Sequence, residues 1–250
     1  MTPLKVVFKV SGGFAPPPLP LHLDALLAYQ RTRQHAKFKL AKDGFSVATL
    51  RSLGDNLALD KHEQDDEWCW KASAIMPVGP IEVSSRFFTQ RRDQAAYSMR
   101  VARGDVQHGR HPINEKEGMR QCAPMKKDAY QIDTLRGVYR NLLGFYSIIK
   151  ASAPISGNME LVAWCVGDKG TIESQLSDGM ITHLGARRRV GHGRIEEVTV
   201  EEDESALENW RLRVRPWQMM DDDAPIQAAW RAPYWAAENR GQAFCPAGLI

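Results

Sequence analysis

The stretch MELVAWCVGDKGTIESQLSDGMITHLGARRRVGHGRIEEVTVEE, residues 159–202, changes period twice and ends where it began, as a strand. MELVAWCVG is apolar and rich enough in β-formers for a buried strand. KGTIESQLSDG sets Ile172 and Leu176 four apart, one face of a short helix. RIEEVTVEE alternates through Val198 and Val200, so it reads as a strand with one wet face that leads into an exposed acidic turn. Strand, helix, glycine-rich loop and strand thus follow one another in the C-terminal half.

Working outward, the N-terminal half has the same succession. KVVFKV (5–10) predicts a buried strand, closed by Gly12-Gly13 and the run Pro16-Pro17-Pro18. HLDALLAYQRTRQHAKF predicts a helix with Leu23, Leu26 and Leu27 on one face and Asp24 near its positive end. EWCWKASAI (67–75) and IEVSSRFFTQ (81–90) flank a Pro77–Pro80 turn signal and are expected to be adjacent strands. WRLRVRPW (210–217) reads as one more strand. Together these predict an α+β chain: a ferredoxin-like (RRM-like) antiparallel sheet with its helices on one face and a glycine-rich loop. Residues 91–150 break the pattern. They are basic, contain Gly and Met, and end in the helical-looking DTLRGVYRNLLGFYSIIK, so they are expected to be an inserted, partly helical subdomain between 1–90 and 151–250.

The 250 residues accommodate one domain with an insertion or two domains, with 43% hydrophobic and 25% charged residues, near the globular average. No apolar run approaches a bilayer span and the N-terminus has no signal-peptide pattern, so a soluble, cytoplasmic protein without a membrane partner is expected. Cys69, Cys122, Cys165 and Cys245 stand singly, which favours reduced thiols over a disulfide framework. The net charge of +3 hides a strong asymmetry: residues 84–127 hold ten Lys and Arg against four acids, whereas 196–208 hold seven acids and no Lys or Arg. The first region suits a polyanion and the second repels one.

HLGARRRVGHGRI (183–195) is the most informative segment. Gly185, Gly191 and Gly193 permit positive φ and close main-chain approach. Arg187, Arg188, Arg189 and Arg194 supply planar cations suited to phosphates and to stacking on bases. A merely solvated turn needs one or two glycines but not four clustered arginines. A P-loop is excluded because five residues separate Gly185 from Gly191 and no Lys-Ser/Thr follows; GHGRIE lacks the third glycine of a dinucleotide fingerprint.

Other candidates are weaker. Lys126 and Lys127, with Arg136, Tyr139 and Arg140 at i, i+3, i+4 on an expected helix, form a face that can hold phosphates and stack on unpaired bases; Tyr139 packing beside Leu143 is the plainer alternative. Trp230, Tyr234 and Trp235 are expected to pin the tail to the core rather than to form a stacking platform. His22 and Tyr29 are the natural pair for metal-free general acid–base chemistry, but two helical turns separate them and a helix-start histidine is more often structural. His108 and His111 lack partners at metal-ligand spacing. Glu196, Glu197, Glu201, Glu202, Asp203 and Glu204 follow strand alternation rather than a cation site.

A strand and short helix feeding GARRRVGHGRI resembles the C-terminal glycine-rich loop of the RAMP superfamily, the ferredoxin-like RNA-binding subunits of CRISPR systems. PLPLHLDALLAYQ (18–30) and RAPYWAAENRGQAFCPAG (231–248) are similar to segments of the subunit that caps the 5′ end of the guide RNA in type IV effector complexes. The resemblance implies a palm holding the 5′ handle of the guide (crRNA) and a thumb-like insertion contacting the guide and a backbone subunit. Arg187, Arg188, Arg189 and Arg194 match the family's RNA-contacting loop in character, and the role of His192 stays open. It further implies backbone RAMP subunits and a large-subunit-like protein as partners, target DNA reached through the complex, a DinG-type helicase recruited to it, and no cofactor. The alternatives are a metal-independent endoribonuclease that processes precursor guide RNA and a general single-strand RNA-binding protein.

Overall fold

The computed structural model describes residues 1–38, 46–92, 130–133, 138–152 and 158–249. In chain order its elements are β1 (Thr2–Ser11), α1 (Leu23–Phe38), α2 (Val47–Gly54), β2 (Lys61–Gln64), β3 (Glu67–Trp70), β4 (Met76–Pro77), β5 (Ile81–Arg92), β6 (Tyr130–Asp133), β7 (Val138–Ala151), β8 (Met159–Gly167), α3 (Lys169–Ser177), β9 (Arg194–Glu202), α4 (Ala206–Asn209), β10 (Ala224–Ala229) and β11 (Arg240–Cys245). Residues 1–82 and 149–250 form one compact unit, and residues 83–148 form a second.

The first unit is built on an antiparallel sheet of order β4-β8-β1-β9. β1 lies in the middle, with Val6 opposite Ala163 of β8 and Val200 of β9. Strand alternation turns Leu4, Val6, Phe8 and Val10 to the face where Met159, Leu161, Ala163 and Cys165 also point. Leu23 and Leu27 of α1 and Ile172 and Leu176 of α3 complete the same core. α1 connects β1 towards β4, and α3 connects β8 to β9, so the expected helices and the strands at both ends of the chain are present. The fold is a mixed α/β one with antiparallel pairing and few helices. Asp168 caps α3, its carboxylate accepting from the Thr171 amide at 2.9 Å, and Ser46 caps α2 in the same way from Thr49.

Three expectations are corrected. Residues 67–75 do not pair with 81–90: Glu67–Trp70 closes a hairpin on Lys61–Gln64 through Asp65 (φ 51) and Asp66 (φ 63), and Met76–Pro77 pairs with β8. Two left-handed residues between paired strands make the turn whose twist suits a two-residue hairpin, and aspartate tolerates that conformation. WRLRVRPW is not a strand. Leu212 and Arg213 donate their amides to Asn209 and Arg211 in turns and Val214 donates to His22, leaving one bridge, Arg215 to Phe244, on the β10–β11 sheet.

The third correction falls in the second unit, whose described part is a sheet of order β5-β7-β6. The segment read as the end of a helix is β7, with Tyr139 opposite Ile132 and Arg140 opposite Gln131. Val138, Tyr139, Phe145, Tyr146, Ile148 and Ile149 are β-formers and Gly144 weakens a helix, so local preference and pairing agree.

Candidate nucleic-acid interface

The arginine-glycine loop hangs between α3 and β9 and is tied to the turn after β1. Leu184 donates its amide to the Gly193 carbonyl at 2.8 Å, closing the loop's base. Ala186 donates to Ala15 and Gly193 to Gly13, at 2.8 and 2.7 Å, and a His192 Nδ1 contact of 2.7 Å reaches the Gly12 carbonyl. The glycines are needed where backbones meet. A Cβ on Gly193 (φ +67) would run into the Leu184 carbonyl, and one on Gly12 (φ +74) into the Gly191 carbonyl. A Cβ on Gly185 (φ +78) would come within 2.5 Å of the Ala15 carbonyl and of the Phe14 ring.

With its base fixed, the loop displays its cations. Arg187 is left-handed (φ 58, ψ 29) and is followed by a single 3₁₀ turn, Arg188–Val190, closed by the Gly191 amide on the Arg188 carbonyl. A left-handed residue before right-handed ones turns successive amides toward one side, an arrangement that favours anions. Arg187, Arg188, Arg189 and Arg194 are all exposed. Arg194 lies 3.6 Å from Glu196, a surface pair of little energetic weight, while Arg188 and Arg189 form no ion pair among the described residues. The loop therefore offers charge to solvent from a rigid base. Gly12 and Gly13, read in the sequence only as a turn, are part of that base.

Beside the loop, the exposed face of α1 carries Tyr29 and Arg33. A cleft of about 420 Å³ brings them together with His183, Gly185 and Arg188. The remaining sequence candidates are placed differently. Tyr139 and Arg140 sit on strand β7, so the helical face proposed for them with Arg136 does not exist. Lys126, Lys127 and Arg136, with His108 and His111, lie outside the described residues. The acidic run forms β9 and the turn after it, with Val200 buried, and no group of three or more metal-ligating side chains occurs among the described residues.

His22 is 2% exposed and held inside the protein. Its Nε2 accepts the Val214 amide at 3.1 Å, its ring lies 5.1 Å from that of Tyr234, and burial, seconded by the Arg213 charge, holds its pKa well below the usual histidine range. It does not meet Tyr29 at a common surface. Behind it runs a buried network that the sequence reading missed. Arg213, fully buried, donates to the carbonyls of Trp70, Ala72, Val214 and Trp230 and to the Tyr234 hydroxyl, and stands 3.4 Å from Asp24. Tyr234 donates to Asp24 at 2.6 Å. Burial pushes the Asp24 carboxyl above its ordinary range against the pull of Arg213 and Tyr234, whereas the pair holds the Arg213 guanidinium charged. The tail aromatics divide accordingly: Tyr234 and Trp230 pack inward, and Trp235 stays 64% exposed.

The loop, His22, Asp24 and Tyr29 of the first helical segment, and Tyr234 of the tail lie in the three segments that carried the resemblance to CRISPR subunits. Residues 2–246 match the family described as CRISPR type IV associated protein Csf3. The chain belongs to the Csf3 family. The match covers nearly the whole chain, both units included, so the membership does not hang on the loop alone. No curated protein matches this Csf3-family chain. Among the described residues no helix is long and apolar enough to cross a membrane.

Proposed function

We propose that this Csf3-family protein is a non-catalytic, guide-RNA-binding subunit of a type IV CRISPR ribonucleoprotein that grips the 5′ handle of the crRNA. The observation that carries this reading is the loop: four exposed arginines on a base locked by Gly12, Gly13, Gly185 and Gly193, the form a flexible phosphate backbone requires. The β1-α1-β4-β8-α3-β9 succession and the β4-β8-β1-β9 order support a ferredoxin-like palm under it. The burial and lowered pKa of His22 support a binding role over RNA cleavage. In this assembly, backbone RAMP subunits and a large-subunit-like protein complete the particle. The guide pairs with target DNA, this chain holds RNA shape, and a DinG-type helicase acts on the bound target.

The test is the triple variant Arg187→Ala, Arg188→Ala, Arg189→Ala. For a single strand, each lost phosphate contact removes roughly 0.7 from the log–log salt slope, so the variant should bind guide RNA more weakly with a slope flatter by about 2. Unchanged affinity and slope would remove the loop from the interface. Incubating the wild-type protein with repeat-containing RNA in EDTA should leave the RNA intact; site-specific cleavage would establish the endoribonuclease instead.

A further inference from the structure

Tyr29 stands between two clefts. On one side is the cleft it shares with Arg33 and Arg188, about 420 Å³; on the other, one of about 430 Å³ floored by Ala28, Thr32 and Leu50 and walled by Pro233 and Trp235. Both volumes fall in the range of roughly 300–1,000 Å³ typical of small-molecule sites. Tyr29 is 44% exposed and Trp235 64%, and neither is needed to anchor its segment: Leu23, Leu26 and Leu27 hold α1, and Tyr234 and Trp230 hold the tail. Arg33 follows Tyr29 by one helical turn and so shares its face. Cations thus sit at one end of the surface, an aromatic ring at its middle and another at its far end. That is the composition by which proteins hold unpaired strands: charge on the phosphates and open aromatic faces for the bases.

We infer that unpaired bases of the bound RNA leave the arginine loop and enter these two clefts. One lies against Tyr29 with Arg33 and Arg188 on the flanking phosphates, and a second stacks on Trp235. The inference rests on the RNA-binding reading and extends it from phosphate contact to base contact.

The experiment uses the full chain and two probes of equal length, a fluorescent oligoadenylate and a strand with the same backbone and abasic positions. Tyr29→Ala and Trp235→Ala should each weaken oligoadenylate binding roughly 5- to 150-fold, the loss of one stacked base, and leave the salt slope unchanged. Trp235→Phe should restore most of the affinity, and the intrinsic fluorescence quenched on binding in the wild type should be absent from that variant. The abasic strand should bind more weakly and respond to neither alanine substitution. Wild-type affinity in both aromatic variants, beside a weakened triple-arginine variant, overturns the base clefts and leaves the loop reading standing. Equal losses on both probes also overturn them, since the aromatics would then act without bases. Failure of the wild type to bind either strand removes both readings.

Discussion

Asp24→Asn tests the buried network most sharply, because it removes one charge and keeps the shape. In the native protein Arg213 is fully buried, and Asp24, 3.4 Å away, is the carboxylate that neutralises it. At an effective dielectric of about 20, two unit charges at that separation attract by about 5 kcal/mol. The loss is smaller than this gross figure, because burial already penalises the Asp24 carboxylate and the neutral amide is relieved of that cost. The guanidinium also keeps its carbonyl partners at Trp70, Ala72 and Trp230, and an asparagine oxygen still accepts from Tyr234. A net cost of about 3 kcal/mol follows, the low end for leaving a buried cation unpaired. For a chain of 150–250 residues that lowers Tm by roughly 6–12 °C, read by calorimetry or circular dichroism. Arg213→Met should cost more, since it strips the partner from several buried carbonyls at once. A shift below about 2 °C for Asp24→Asn, or a milder effect for Arg213→Met, would refute the assignment of this network as the clamp between α1, β3 and the tail.

Two further outcomes follow from the geometry. His22 is held neutral by burial while the unfolded chain titrates near its usual 6.5, so below that pH the unfolded state binds the extra proton; wild-type stability should be level above it and fall by up to about 1.4 kcal/mol per pH unit as pH drops toward the lowered folded value, whereas His22→Gln, which keeps an acceptor for Val214, should lack that component in urea titrations at neutral and acidic pH. Gly193→Ala forces a Cβ against the Leu184 carbonyl at a left-handed position, so it should cost about 1–3 kcal/mol in thermal denaturation and weaken RNA binding without altering any charge; wild-type behaviour in both assays would mean that the loop's base is not rigid.

The loop was legible because its meaning is local. Glycines at 185, 191 and 193 and the arginines between them state both a main-chain conformation and a charge, and neither depends on distant residues. β1, α1, β8, α3 and β9 were legible for a similar reason, since each has an apolar run or face that one core can satisfy. WRLRVRPW misled because alternation of Arg with Leu and Val is the pattern of a strand with a wet face, and the pattern does not say which residue type points inward. Here Arg213 and Arg215 are buried on both sides of a buried Val214, with no alternation at all, and are neutralised by Asp24 and Asp223, partners that stand far away in the sequence or across a turn. Residues 138–150 misled in the opposite sense: Leu142, Leu143, Phe145 and Ile149 also meet a helical spacing, and pairing with β5 and β6 decided for a strand. The tail shows what this means for function. Its three aromatics looked equivalent, but Arg213 holds the Tyr234 hydroxyl and the Trp230 carbonyl, the Trp230 ring packs on the clusters beside Val214 and Trp210, and Trp235 is the one left facing solvent. The buried cation that the sequence hid thus helps to separate Tyr234, held inside, from Trp235, the exposed aromatic on which the base-stacking proposal turns.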